Sequence, residues 1–282
     1  MSATRISVVD VMRRHPCFDE QAHDRVGRMH LPVAPRCNIQ CRFCERRICA
    51  NLTMQHPGWA RELLSPADAV AWVGEWVRRR SSEVAIAPEE LSFVVGVAGP
   101  GEPLANEGTF EALARVHAAF PKLMTCISTN GLLLEYKLPA LLDVGVTALT
   151  VTVNAPDAEV GQHIYAWVRY QGVLYRGREA AEVLIDSQVC GIRAALAAGL
   201  AVKVNTVLIP GVNDMHVTRV AERMSDLGVH LMNIMPLIPG GQMKDLSPPT
   251  CDELMRARLH CAKALPQFHK CKQCRADIVC FP

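Results

Sequence analysis

Three cysteines stand close together in Cys37-Asn38-Ile39-Gln40-Cys41-Arg42-Phe43-Cys44, a CxxxCxxC spacing. Three thiolates on one short loop can hold three corners of a [4Fe–4S] cube and leave the fourth iron without a protein ligand. That open iron is a site where a substrate can bind. The competing readings are a zinc loop or a ferredoxin-type electron carrier, although zinc sites usually take four closed ligands in a CxxC rhythm. The chain has twelve cysteines, and its start, Met1-Ser2-Ala3-Thr4-Arg5, carries no apolar segment. In the cytoplasmic, reducing setting this predicts, metal binding or redox chemistry is a better use of thiols than structural disulfides.

Further polar groups recur where predicted strands end. Ala98-Gly99-Pro100-Gly101-Glu102-Pro103 sets two glycines beside a carboxylate; glycine lets backbone approach a ligand closely, and a carboxylate accepts from an ammonium group. Taken alone, the segment is equally a turn. Ser128 and Asn130, Thr152 and Asn154, and Asn205 with Ile209 follow at later strand ends. With Phe43, Gly99, Gly101 and Glu102 they make up the candidate cofactor contacts. Individually such residues form turns; together they form a site.

Convergence of these groups requires a frame that ends them in one place. From about Arg28 onward β-rich runs alternate with helical patterns, the arrangement that builds parallel sheets through right-handed crossovers. Strands are predicted at 29–34, 91–98, 123–128, 148–154, 202–209 and 230–237, with amphipathic helices such as 66–79 and 179–198 between them. Gly199 sits at an expected helix C-cap. Six units are too few for the closed eight-fold barrel, so the predicted fold is α/β, an open (βα)6 partial TIM barrel over 28–240, with a doubly wound sheet as the alternative. The fourth strand favours the barrel. Ala148, Thr150, Thr152 and Asn154 share one face and Leu149, Val151 and Val153 the other, whereas a sheet covered by helices on both sides is apolar on both. An N-terminal arm (1–27) and a C-terminal segment (241–282), with a helix at 251–263 and a cysteine-bearing tail, complete a predicted single domain, 1–282.

The cysteine loop after the first strand is similar to the signature of the radical S-adenosylmethionine (SAM) superfamily, and 98–106 resembles that superfamily's Gly-Gly-Glu-Pro segment. The resemblance implies a [4Fe–4S] cluster bound to SAM, one-electron cleavage of the sulfonium to a 5′-deoxyadenosyl radical, and Glu102 accepting from the methionine ammonium. A closer likeness lies in His15-Pro16-Cys17-Phe18, in 27–35, 98–106, 164–170, 202–214 and 233–239, and in Cys271-Lys272-Gln273-Cys274-Arg275-Ala276-Asp277. Over nearly its whole length the chain resembles the NifB family of nitrogenase cofactor biosynthesis proteins, in single-domain form.

That resemblance implies a radical SAM enzyme of lyase or transferase type, which joins two [4Fe–4S] substrate clusters into an eight-iron core with a SAM-derived carbide. The family pattern points to His30, Cys49 and Cys126 for one substrate cluster and to Cys17, Cys271 and Cys274 for the other, beside Cys37, Cys41 and Cys44 for the radical cluster. Implied partners are an iron–sulfur cluster donor, separate cofactor carrier or scaffold proteins, and a reductant such as ferredoxin or flavodoxin. Two alternatives stay open: a terminal zinc site at Cys17, Cys271 and Cys274, with Cys280, and a peptide-modifying radical SAM enzyme with fixed auxiliary clusters. Cys190, Cys251, Cys261 and Cys280 are left as helix-packing or surface thiols. One departure is the run Asn51-Leu52-Thr53-Met54-Gln55-His56-Pro57-Gly58, where family members usually carry an acidic residue before Arg-Pro-Gly.

Composition removes other classes. Half the 282 residues are hydrophobic and 21% are charged, enough for a sizeable core. A net charge of +2 with no dense basic stripe argues against nucleic acid. The most apolar stretch, 194–210, is broken by Gly199, Lys203 and Asn205, which argues against a membrane span. Replacing any one of Cys37, Cys41 or Cys44 by Ala is expected to abolish reductive cleavage of SAM, measured as 5′-deoxyadenosine formed under a strong reductant; cleavage retained in any variant contradicts the assignment.

Overall fold

Strict alternation along the long strands divides the sheet into an apolar and a polar face, and the curvature follows from which face the helices cover. In the computed structural model, which describes residues 6–54 and 56–281, six strands run parallel: β1 (Gly27–His30), β2 (Phe93–Val97), β3 (Met124–Thr129), β4 (Val146–Thr152), β5 (Ala201–Leu208) and β6 (Leu231–Pro236). A short β7 (Val279–Cys280) pairs antiparallel with β1. The first five residues of the expected arm, Gln55 and Pro282 lie outside the described residues.

Spatial order along the sheet is β6-β5-β4-β3-β2-β1-β7. The parallel strands follow chain order without reversal, whereas a doubly wound sheet reverses at a switch point. The sheet therefore curls in one sense, as a partial barrel. Its outer face carries Val95, Val97, Ile127, Leu149, Val151, Val202 and Val204, all buried in one apolar core. Helices α2 (Pro66–Val84), α3 (Glu107–Ala119), α4 (Leu134–Asp143), α5 (Gly177–Ala197) and α6 (Val217–Asp226) lie between successive strands, and each sends side chains into that core. Ser65 caps α2 by accepting from Asp68 N, with Pro66 at the first position. The helix runs five residues beyond the expected end, to Val84, and is capped by Ala85 in the left-handed region (φ 52°). Gly199 (φ +73°) follows α5 as expected.

The middle rows of the inner face are small and polar. One row crosses it as His30, Gly96, Cys126, Ala148 and Ala201, each paired with the next. A later row carries Ser128, Thr150 and Lys203. The first strand differs from its expected span: it ends at His30, just before Pro32, which has no N–H to continue a ladder. His30 therefore closes β1 instead of beginning it.

Two end segments fill what the half barrel leaves open. Helix α1 (Val8–Arg14) packs on β4 and β5, where Val11 and Phe18 join Ala148, Ala201 and Phe268 in a separate apolar floor. After α7 (Cys251–Cys261), which starts in a capping box at Thr250 and Glu253, the tail bridges to β6 at Met232 and Gln267 and then crosses to β1. It thus spans the lateral opening between the sheet's two edge strands. Cys280, expected as a helix-packing or surface thiol, sits in the sheet opposite Arg28.

Phe281 locks the crossing, stacked on Trp76 (5.6 Å) and edge-on to Phe93 (5.2 Å). It fills the space beside Gly27, where an added Cβ would lie 2.2 Å from its ring. Gly27→Val is expected to expel Phe281 and cost about 1–3 kcal/mol of stability. Denaturant unfolding measures the cost, and limited proteolysis should cut the tail faster than in wild type.

Candidate active site

The cysteine loop is held on three sides. Residues 39–41 pair antiparallel with one arm of an unforeseen hairpin, Tyr165–Tyr170 and Val173–Tyr175, and Arg42 N donates to Ile164 O (2.8 Å). Inside the loop, Gln40 Nε2 donates to the carbonyls of Cys41 (2.9 Å) and Cys44 (3.1 Å), while Arg46 reaches Gln40 Oε1 and the Cys44 sulfur. On the far side, Gly241 (φ +53°) comes so close that a Cβ would meet Arg42 O at 2.6 Å. Burial pushes the thiols up, Cys37 to about 11 and Cys41 well above the ordinary value; at Cys44 burial again dominates, opposed by Arg46. Metal uptake at these sulfurs must therefore displace protons.

The glycine-rich segment after β2 is clamped to the approach of this loop. Gly101 N donates to Ala34 O (2.6 Å) and Glu102 N to Arg36 O (2.8 Å). A Cβ on Gly101 would lie 2.3 Å from Arg36 O, so only glycine fits. Asn106 completes the clamp: its Oδ1 accepts from Arg36 N (3.2 Å), and its Nδ2 donates to Arg36 O (2.8 Å) and Glu102 O (2.7 Å). The Glu102 carboxylate points inward, behind the cavity wall. It accepts from Leu104 N (3.0 Å), Thr129 Oγ1 (2.6 Å) and Asn130 N (2.7 Å). Burial raises its pKa to about 7 against those three bonds. Two of those bonds reach the end of β3.

A cavity opens at the C-terminal strand ends, bordered by Cys37, Cys41, Phe43 and Cys44, by Gly101, and by Ser128, Asn130, Thr152 and Asn154. Besides Glu102, three expected contacts do not border it. Gly99 backs onto Ala276, Asn205 Oδ1 accepts from Asn233 Nδ2 (3.0 Å), and Ile209 is buried with its N–H on Asn213 Oδ1 (2.7 Å). Asn154 bears on what the cavity could hold: its Oδ1 accepts from Val207 N (2.9 Å), but its buried Nδ2 has no partner. An unpartnered buried donor at the rim suits a ligand rich in acceptor oxygens, as SAM is with its ribose and carboxylate. A larger cleft, lined by Trp72, Trp76 and Asp277, contains no cysteine.

Sequence reasoning missed several residues here. Tyr165 and His56 border the cavity. His56 stacks on Trp59 (4.5 Å) in the run that departs from the family's acidic pattern. Gln188 of α5 donates to Asn130 O (2.8 Å) and Thr152 O (2.9 Å), and Asn213 donates to Asn154 O (2.9 Å) and Val207 O (2.8 Å). Gln188 gives no local signal; Asn213 lies in a stretch that the family likeness already marked.

Deeper in the barrel the remaining expected ligands gather unequally. Gly96 separates His30 from Cys126 across the sheet, and a Cβ there would lie 2.9 Å from the Cys126 sulfur and 3.3 Å from the His30 ring. His30 Nδ1 lies 3.0 Å from Arg275 O; a carbonyl only accepts, so Nδ1 carries the proton and Nε2 is free to ligate. Burial lowers the His30 pKa to about 4, which keeps the ring neutral. Cys17 and Cys271 pack on the same apolar floor as Cys126. Burial raises the Cys126 thiol, and Cys17 adds to the rise. Burial also raises Cys274, countered by Arg28.

The chain ends meet where Lys270 is bonded to Asp24, and further along the tail Gln273 donates to Pro236 O (2.9 Å) at the end of β6, where both residues border the cavity. Cys49 stands apart and exposed, its backbone tied to Ala60 and Leu52. Among the described residues no three His, Cys, Asp or Glu side chains converge on a point where one metal ion could sit; ligands of a cube bind separate irons.

The Radical SAM superfamily matches residues 31–224. Over 269 residues the chain is 45% identical to the FeMo cofactor biosynthesis protein NifB of Methanocaldococcus jannaschii, covering 95% of this chain and 86% of that protein. It is 43% identical over 286 residues to the protein of the same name from Klebsiella pneumoniae, covering 99% of this chain and 59% of that one. In fold it is similar to Streptococcus suis SuiB bound to S-adenosylmethionine (TM-score 0.57, 12% identity, 94% of this chain and 54% of that chain). Methylornithine synthase PylB is also similar (TM-score 0.52, 14% identity, 92% and 76%).

Glu102→Gln tests the wall. A Gln amide keeps one acceptor oxygen and turns a donor toward either Asn130 N–H or the pair Leu104 N–H and Thr129 hydroxyl. The expected cost is about 1–3 kcal/mol in stability. A weaker affinity for SAM should accompany it, measured by equilibrium binding; unchanged stability contradicts the inward carboxylate.

Proposed function

The chain belongs to the radical SAM superfamily and, within it, to the NifB family of FeMo cofactor biosynthesis proteins, and from that premise we propose that it fuses two [4Fe–4S] clusters, with insertion of a SAM-derived carbide, into the eight-iron precursor of the nitrogenase cofactor. Cys37, Cys41 and Cys44 would hold the [4Fe–4S] cluster that takes SAM, and that centre supplies one-electron cleavage of the sulfonium when bound. The chain's own residues orient and enclose. Asn154 Nδ2 and the Thr152 and Ser128 hydroxyls offer polar contacts to the cofactor, and Phe43 and Tyr165 wall the cavity against water. Glu102 positions Asn130 from behind.

In this reading His30, Cys126 and Cys49 hold one substrate cluster and Cys17, Cys271 and Cys274 the other. The observation that carries it is the neighbourhood of Cys126 and Cys17, which brings ligands of the two sets together beneath the cofactor cavity. Joining two clusters demands contact between them, and Cys126 beside Cys17 and Cys271 on one floor supports a meeting of one ligand of the first set with two of the second, while Cys49 would have to reach in from its exposed position. Arm, barrel and tail then work as one domain, 1–282, since each contributes ligands. Cluster donors, a cofactor carrier or scaffold and a reductant of the ferredoxin or flavodoxin kind are the partners this chemistry needs in the cytoplasm. No helix among the described residues is long and apolar enough to cross a membrane.

The test is the Cys271→Ala/Cys274→Ala variant beside wild type, reconstituted anaerobically. The variant should lose one cluster, keep the radical cluster and still cleave SAM. In wild type, isotopic methyl label from SAM should end as carbon inside an iron–sulfur product that leaves the protein. A labelled product from the variant, or none from wild type, contradicts the proposal.

A further inference from the structure

The barrel interior buries two cations that no carboxylate pairs. Lys203 of β5 is 3% exposed and Arg28 of β1 is 6% exposed, both on the inner face. Among the described residues neither forms an ion pair with Asp or Glu. Lys203 Nζ donates to Cys17 O (2.9 Å) and stands over the rings of Phe18 (5.4 Å) and Phe268 (5.2 Å). Arg28 is bonded to Cys274, and its Nε has no partner. Buried charge is costly unless a counter-charge meets it.

His15 adds a directional group. It is 2% exposed, and its Nδ1 accepts from Cys17 N (3.1 Å). With Nδ1 accepting, the neutral ring carries its proton on Nε2, and that N–H is buried without a partner. His30 has the opposite tautomer, with Nε2 free to ligate. The two histidines therefore present different atoms to the interior, a free Nε2 acceptor on His30 and an Nε2–H donor on His15.

We propose that Lys203, Arg28 and His15 form a cationic, hydrogen-bond-donating cradle for an anionic iron–sulfur cluster held by Cys17, Cys271 and Cys274, with His15 Nε2–H directed at a cluster sulfide. The proposal rests on the reading of those three cysteines as a substrate-cluster site. A thiolate-ligated cube is an anion, and positive charge or N–H donors beside its sulfurs raise its reduction potential and its retention. The same cations oppose folding of the cluster-free chain, so the cradle couples cluster arrival to stability.

The test compares Lys203→Met, Lys203→Arg and His15→Asn with wild type and with Cys271→Ala/Cys274→Ala, all as full chains. Iron per chain, redox-titrated paramagnetic resonance and thermal unfolding of the cluster-free protein are measured. Lys203→Met should weaken cluster retention by about 10- to 100-fold, move that cluster's potential to more negative values, and raise the melting temperature of the cluster-free chain; Lys203→Arg should restore retention. His15→Asn keeps an acceptor for Cys17 N but lacks the Nε2 donor, and should lower the potential with the cluster still bound. If Lys203→Met fails to fold, the His15→Asn potential decides alone. Should Lys203→Met destabilise the cluster-free chain and both variants keep wild-type potential and retention, the cradle is wrong while the cysteine assignment stands. Equal iron in wild type and the double cysteine variant overturns the underlying reading, and the cradle with it.

Discussion

One buried carboxylate ties the mouth of this barrel together. Glu102 joins the loop after β2 to Thr129 and Asn130 at the end of β3, while its backbone N–H and Asn106 hold Arg36 just before the cysteines. From Asn130 the chain of bonds continues to Asn38 inside the cysteine loop (2.7 Å) and, through Gln188, to the end of β4. Asn154 and Asn213 carry it on to β5. Loops usually move more than the strands they join, but these are cross-linked strand to strand. A site whose ligands come from separate strand ends needs such bonds to hold its geometry.

Below that ring the barrel depends on smallness. Gly96, Ala148 and Ala201 on the row of His30 and Cys126 leave room where larger side chains would fill the interior of a closed barrel. The half barrel also leaves an open side, which the tail closes by reaching from β6 to β1. The residues that cross the gap include Cys271 and Cys274, so in the proposed reading closure would also supply ligands. A sheet with bare edges would be prone to association, and β7 covers one of them.

Much of this was legible in the sequence because periodicity records burial. The alternation of 148–154 correctly separated inner from outer face before any packing was known, and the six strands fell where apolar runs alternate with helices. What escaped lacks a periodic trace. Strand β7 has two residues, too few for a pattern. The hairpin at 165–175 turns at Gln171 and Gly172, both with positive φ, and glutamine gives little warning of that conformation. Glu102 was recognisable as a special residue, but the direction of its side chain depends on Thr129 and Asn130, twenty-seven and twenty-eight residues away. The meeting of Cys17 with the tail is more distant still.

Charge placement connects the mouth and the interior. A buried thiol resists ionisation, yet only the thiolate binds iron. Basic side chains answer this at each group of cysteines: Arg46 lies beside Cys44, Arg28 beside Cys274, and Lys203 beside both Cys17 and Cys126. Each opposes the burial that raises its neighbour's pKa, and each stands where the deprotonated sulfur would leave a negative charge. At Cys41 burial is again the first cause, with Cys44 and Cys37 raising the thiol further and Arg46 opposing them. Metal capture at any one of these sulfurs would bring the positive charge that opposes burial at its neighbours.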